Sequence, residues 1–145
     1  MELKGLVMGY RSEVMIAIAF KTKDALDAFI APRLLQEEIA SNKECFERSE
    51  YHDSVLVFHV DDWKWYDNYP DVRAIIELTH EVPTYGGAYR FMRIGEDMGD
   101  IEQTDSYGEV DADGSDKAGN DCYDLLDSFR LVSIIEADRT VPLEF

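Results

Sequence analysis

The side chains best suited to chemistry in this sequence are carboxylates crowded around aromatic rings. The run Asp61-Asp62-Trp63-Lys64-Trp65-Tyr66-Asp67-Asn68-Tyr69-Pro70-Asp71 gathers both tryptophans, two tyrosines and four aspartates. Tryptophan and tyrosine bury large areas at low entropic cost and dominate binding hot spots. Interleaved with carboxylates, they suit a basic partner, whereas packing of the rings onto the core is the competing use. A second acidic run spans Arg93-Ile94-Gly95-Glu96-Asp97-Met98-Gly99-Asp100-Ile101-Glu102. Alternate residues of a strand lie ~6.6–7 Å apart, and successive phosphates of one DNA strand rise about 3.4 Å. A rigid hairpin can therefore present carboxylates at phosphate-like intervals, and the competing use is an edge strand protected by its charge. The candidate partner-binding residues are Asp61, Asp62, Trp63, Trp65, Asp67, Asp71, Glu96, Asp97, Asp100 and Glu102.

Other chemistries find less support. Glu109, Asp111, Asp113 and Gly114 match the first positions of a calcium loop, but Asn120 stands where a bidentate carboxylate is required. His52, His59 and His80 form no HxxxH pair; His59 and Asp61 share a strand face, an arrangement common on ordinary polar surfaces. No metal or cofactor is expected. The sequence lacks GxSxG, P-loop and GxGxxG patterns and any Cys/His spacing suited to nucleophilic catalysis. Its carboxylates lie in polar surroundings, unlike the apolar sites that raise the pKa of a catalytic acid. The expectation is a protein that is not an enzyme.

Composition narrows the partner. The 145 residues carry 31 acidic and 14 basic side chains, a formal net charge of -17. Such a surface repels nucleic acid and anionic membrane. The excess is local: residues 44–81 balance to -7 and residues 96–127 to -11, while 1–43 are neutral. A hydrophobic fraction of 46% provides for one packed domain. No apolar run reaches the ~18–20 residues of a membrane span. The opening Met-Glu-Leu-Lys-Gly does not begin a signal peptide, and Cys45 and Cys122 read as free thiols, so a cytoplasmic setting is expected.

The elements that must position these groups follow from hydrophobic pattern. Glu13–Lys21 and Ser54–Val60 read as strands, the first buried on both faces. Thr22 caps a helix that Pro32 kinks or restarts, and Pro70 opens a second amphipathic helix ending before Pro83. Cys45–Tyr51 and the alternating Ala88–Ile94 complete the series, with Asp100–Tyr107 returning as a hairpin. This order predicts an α+β domain, ferredoxin-like βαββαβ over 13–94, with two helices on one sheet face. A hairpin extension over 95–108, an acidic flexible loop over 109–124 and a returning strand and tail over 125–145 would elaborate it. The second sheet face must then be covered or bind something.

Trp65 to Val72, with its W-Y-x-x-Y-P-D-V pattern, and Tyr89 to Glu102 resemble small uncharacterised acidic proteins of tailed phages and prophages. That resemblance implies a phage setting, in which many small acidic proteins inhibit host nucleases, restriction enzymes or CRISPR complexes; it assigns no residue a role. Together with the charge it leads to one expectation. The chain should bind and occlude a basic nucleic-acid-binding protein without itself touching nucleic acid. The alternatives are a bacterial immunity protein against a nuclease toxin and a self-assembling structural module.

Overall fold

The computed structural model describes residues 10–50, 52–105, 126 and 140–142. In order these form β1 (Ser12–Ala19), α1 (Lys23–Arg33), α2 (Glu37–Ala40), β2 (Phe46–Ser49), β3 (Val55–Trp63), α3 (Pro70–Glu81), β4 (Ala88–Gly95), β5 (Ile101–Asp105) and the short β6 (Thr140–Pro142). The sheet runs β5-β4-β1-β3-β2-β6, and every neighbouring pair is antiparallel. β1 and β2 consequently point the same way with β3 between them, joined over one face by α1 and α2. The expected α+β architecture is observed. It differs from a simple four-stranded layout by a third helix and by strands added at both sheet edges.

Alternation along β1 divides the core in two. Val14, Ile16, Ile18 and Phe20 face the helices and pack with Leu26, Phe29, Ile30, Ile39, Ile75 and Leu78. Met15, Ala17 and Ala19 face the other way, with Val55, Val57, Ala88, Met92 and Leu126. Both sets are almost fully buried, which is why the strand reads as a continuous apolar run. Full burial of each such side chain contributes roughly 1.5–3 kcal/mol. The second face is thus closed, with Leu126 among its cover and Arg90 donating to the Leu126 carbonyl at 2.8 Å.

Local signals behave as their chemistry demands, with three exceptions. Thr22 caps α1, its hydroxyl accepting from the Ala25 amide at 3.1 Å, and Pro70 occupies the first turn of α3. Pro32, however, lies in the last turn of α1 rather than opening a new helix. Its missing amide hydrogen weakens the turn that the helix is about to leave. β2 is shorter than expected, and β3 continues past Val60 to Trp63. The expected acidic loop over 109–124 lies outside the described residues, and of the expected returning strand and tail over 125–145 only Leu126 and the strand Thr140–Pro142 are described. No helix among the described residues is long and apolar enough to cross a membrane.

Cys45 is a free, half-buried thiol, and Cys122 lies outside the described residues. Burial pushes the Cys45 pKa up to about 11, and the Glu44 and Glu47 carboxylates add to the effect. The thiolate is the reactive form. In a Cys122→Ser variant at pH 8, Cys45 should therefore react with a disulfide reagent roughly tenfold or more slower in native protein than in urea. Equal rates would show that burial does not protect it.

Candidate functional site: an acidic end and an aromatic cleft

The two acidic segments, about thirty residues apart in sequence, meet at one end of the sheet. In the register Ser12 of β1 is flanked by Trp63 of β3 on one side and Gly95 of β4 on the other. Asp61 and Asp62 therefore approach the Gly95–Gly99 turn across the start of β1. Tyr10 and Arg11 tie the segments together. The Tyr10 amide donates to the Tyr66 hydroxyl, while the Tyr10 hydroxyl donates to Asp100 and accepts from the Asp97 amide. The Arg11 amide donates to Glu96, and its guanidinium donates to the Asp62 carbonyl at 3.1 Å.

An irregularity in β3 sets the side chains of this end. The register slips by one residue between Val14↔Val60 and Ser12↔Trp63, so β3 carries an extra residue at Asp61–Asp62. Strict alternation would turn Asp62 toward the helices with Phe58 and Val60. The bulge instead leaves both aspartates exposed and returns Trp63 to the core face, 6.0 Å from Phe58 between ring centroids. Trp65 follows, its ring 6.3 Å from Trp63, 6.0 Å from Phe58 and 6.3 Å from Phe91. Both tryptophans are half-buried and packed on the core. They clamp the connection into α3.

The remaining candidates divide by their partners. Asp67 and Asp97 are exposed and use backbone atoms, not carboxylates, in their hydrogen bonds. Glu96 is exposed beside Arg11. Asp71 is half-buried and accepts from the Val72 amide at 2.9 Å and from Asn42 at 3.3 Å, securing the start of α3. Asp100 is gripped by Arg93 at 2.8 and 3.1 Å, and Glu102 meets the same guanidinium at 2.9 Å. The hydrogen bonds from Arg93, then Tyr10, hold the Asp100 carboxyl below the ordinary carboxylate range. Reciprocally, Asp100 first and Glu102 second keep the Arg93 guanidinium charged against the opposing effect of its burial. Asp100 and Asp71 are thus held in half-buried contacts and Glu102 is paired with Arg93. Asp61, Asp62, Asp67, Glu96 and Asp97 are exposed, with Asp61 3.3 Å from His59, Asp62 3.8 Å from Arg11 and Glu96 accepting from the Arg11 amide.

Beside this end opens a cleft of about 600 Å³ between α3 and the β4–β5 hairpin. Ile16 and Phe91 contribute its apolar base, Ile76, Thr79 and His80 its helical wall, and Trp65, Tyr66, Asp67 and Asn68 one end. Tyr89, Arg93, Glu102 and Thr104 complete the lining. Its size suits a drug-sized ligand or the side chains of a docked segment. Trp65, Asp67 and Glu102 are among the residues expected to bind a partner, whereas Tyr10, Tyr66, Tyr89, Phe91 and Arg93 are not. The alternation of Ala88–Ile94 already placed Tyr89, Phe91 and Arg93 on one face; nothing local could have joined Tyr10 to Asp100.

Asp61 also groups with Glu13 and His59, the potential ligand atoms of the three lying within 4.8 Å of one another. His59 Nε2 sits 2.9 Å from Glu13 and 3.3 Å from Asp61. These contacts link Asp61 of the acidic end, through His59, to Glu13 of β1. The calcium-loop positions Glu109 to Asn120 lie outside the described residues.

Asp27 offers a pH probe away from the acidic end. Its burial favours the neutral acid, but hydrogen bonds from Lys23 and Arg48, each at 2.8 Å, outweigh this and lower its pKa. A lowered folded-state pKa stabilises the fold above the unfolded value near ~3.9 and loses that contribution as pH falls through the folded value. Asp27→Asn should therefore cost about 1 kcal/mol at pH 7 after allowance for solvent. Urea unfolding should show the gap to wild type closing below pH 4; a gap constant with pH would contradict the assignment.

Compared with protein-family models, curated proteins and solved structures, the chain matches none.

Proposed function

We propose that this chain is an acidic inhibitor that binds a basic nucleic-acid-binding protein and covers its nucleic-acid channel. The observation that carries this reading is the convergence of Asp61 and Asp62 with Glu96 and Asp97 across the start of β1. Two local charge excesses thereby become one surface, fixed by a strand register and by the Tyr10 and Arg11 hydrogen bonds. Rigid anions gain more than mobile ones, because a partner need not pay to order them. Displacing counterions from the partner's basic channel supplies the same salt-dependent drive that nucleic acid uses there. The framework is best read as ferredoxin-like, supported by the β4-β1-β3-β2 order and the helices packed on one face. A phage inhibitor of a nuclease, restriction or CRISPR component fits this surface, as does an immunity protein against a nuclease toxin.

The test uses capture from bacterial lysate by wild type and by a variant carrying Asp61→Lys, Asp62→Lys, Asp67→Lys and Asp97→Lys. Wild type should retain a nucleic-acid-binding protein at low salt and release it to added DNA or RNA and to high salt. The variant should retain none of it, with an unchanged melting curve. Retention of the same protein by the folded variant, or indifference to nucleic acid, would exclude the proposal.

A further inference from the structure

Resting on the basic-partner reading, we infer that the cleft beside the acidic end receives an arginine side chain of that partner. Among the described residues, Trp65, Tyr66, Tyr89 and Phe91 line it with the His80 imidazole, and Asp67 and Glu102 belong to the same lining. A cation over an aromatic face is attracted by the ring quadrupole, more strongly as water is removed. Guanidinium fits such a site better than ammonium, because it is planar, stacks on rings and is more weakly hydrated. The molecule already uses this contact elsewhere: the Arg33 guanidinium lies 3.9 Å from the centre of the Phe29 ring and 5.0 Å from that of Tyr85.

Charge at the mouth favours the same occupant. Among the described residues that line the cleft, Arg93 is the one arginine or lysine, and it is held by both Asp100 and Glu102. Two carboxylates against one guanidinium leave that wall negative, and Asp67 adds to it. An anionic ligand would enter against this field and against a net charge of -17. At about 600 Å³ the cleft admits an arginine together with part of the chain that carries it.

Octa-arginine and octa-lysine peptides test the inference at low salt by calorimetric titration. Each has the same formal charge, and the cleft substitutions separate stacking in the cleft from the bidentate pairing of arginine with surface carboxylates. Wild type should bind octa-arginine about tenfold more tightly. Thr104→Trp and, separately, Asn68→Trp place a bulky ring at the cleft from exposed positions. Either should erase the preference for arginine while leaving octa-lysine affinity unchanged. Equal affinities in wild type, or a preference that survives both substitutions, would overturn the arginine site and leave the acidic-surface reading standing. Failure of both peptides to bind would overturn the basic-partner reading itself.

Discussion

Replacing Gly87 with alanine should remove about 3 kcal/mol of stability, and valine should remove more. Gly87 joins the turn over Val82–Tyr85 to β4, its amide donating to the Val82 carbonyl at 3.0 Å. A Cβ added there would lie 2.7 Å from a methyl of Val82, 2.8 Å from the Ala19 carbonyl oxygen and 2.8 Å from the Phe20 ring. All three neighbours are buried, and one of them is backbone, so no side-chain rotation makes room. Against a total of ~5–15 kcal/mol for a small domain, such a loss is severe. Gly86 supplies the control. Its φ is 90°, but an added Cβ would meet nothing within 4 Å, so Gly86→Ala should cost only the ~1–2 kcal/mol of left-handed backbone. Urea unfolding distinguishes the two; a Gly87→Ala loss no larger than that of Gly86→Ala would show that β1 and the turn can part without cost.

Charge reversal should separate the acidic residues into two functional groups. Asp100→Lys would set a cation against Arg93 and remove the acceptor of the Tyr10 hydroxyl, so its melting temperature should fall by several degrees. Gly95→Ala should act on the same network, because its new Cβ would collide with the Asp100 carboxylate and the Tyr10 hydroxyl. Asp61→Lys, Asp62→Lys and Asp97→Lys act on exposed carboxylates, and because the contacts of Asp61 with His59 and of Asp62 with Arg11 are screened by solvent they should change stability little. Those three should instead reduce partner binding by one to two orders of magnitude when combined, because each turns an attraction into a repulsion at a desolvating surface. Calorimetry of the free proteins alongside binding titrations resolves the two effects. If Asp100→Lys melted with wild type, the Arg93–Asp100–Tyr10 network would not be what holds the hairpin in place.

Much of the framework was legible because burial leaves a strong periodic trace. The run Glu13–Phe20 is apolar on both faces, and the structure buries both, one under helices and the other under a cover that includes Leu126. Pro70 and the Ala88–Ile94 alternation marked the start of α3 and the inner face of β4 for equally local reasons. The acidic site was legible in composition and not in arrangement. A bulge has no periodic signature, so Asp61-Asp62-Trp63 read as a loop after the strand instead of its continuation. Pairing across β1 depends on residues some thirty positions apart, which no local pattern encodes. The capture of Glu102 by Arg93 is a different matter. Once Gly95–Gly99 is read as a hairpin turn, Arg93 must face Glu102 across the ladder. That inference was available and would have moved Glu102 from the free carboxylates to the paired ones.

The most direct measurement is displacement of labelled duplex DNA or structured RNA from the purified partner by this chain. Occlusion predicts that the nucleic acid leaves as the chain binds, with one competitor per site and an apparent affinity that falls as nucleic-acid concentration rises. A stable complex containing chain, partner and nucleic acid together would contradict it, because two ligands would then be sharing a partner whose channel the acidic end is claimed to fill.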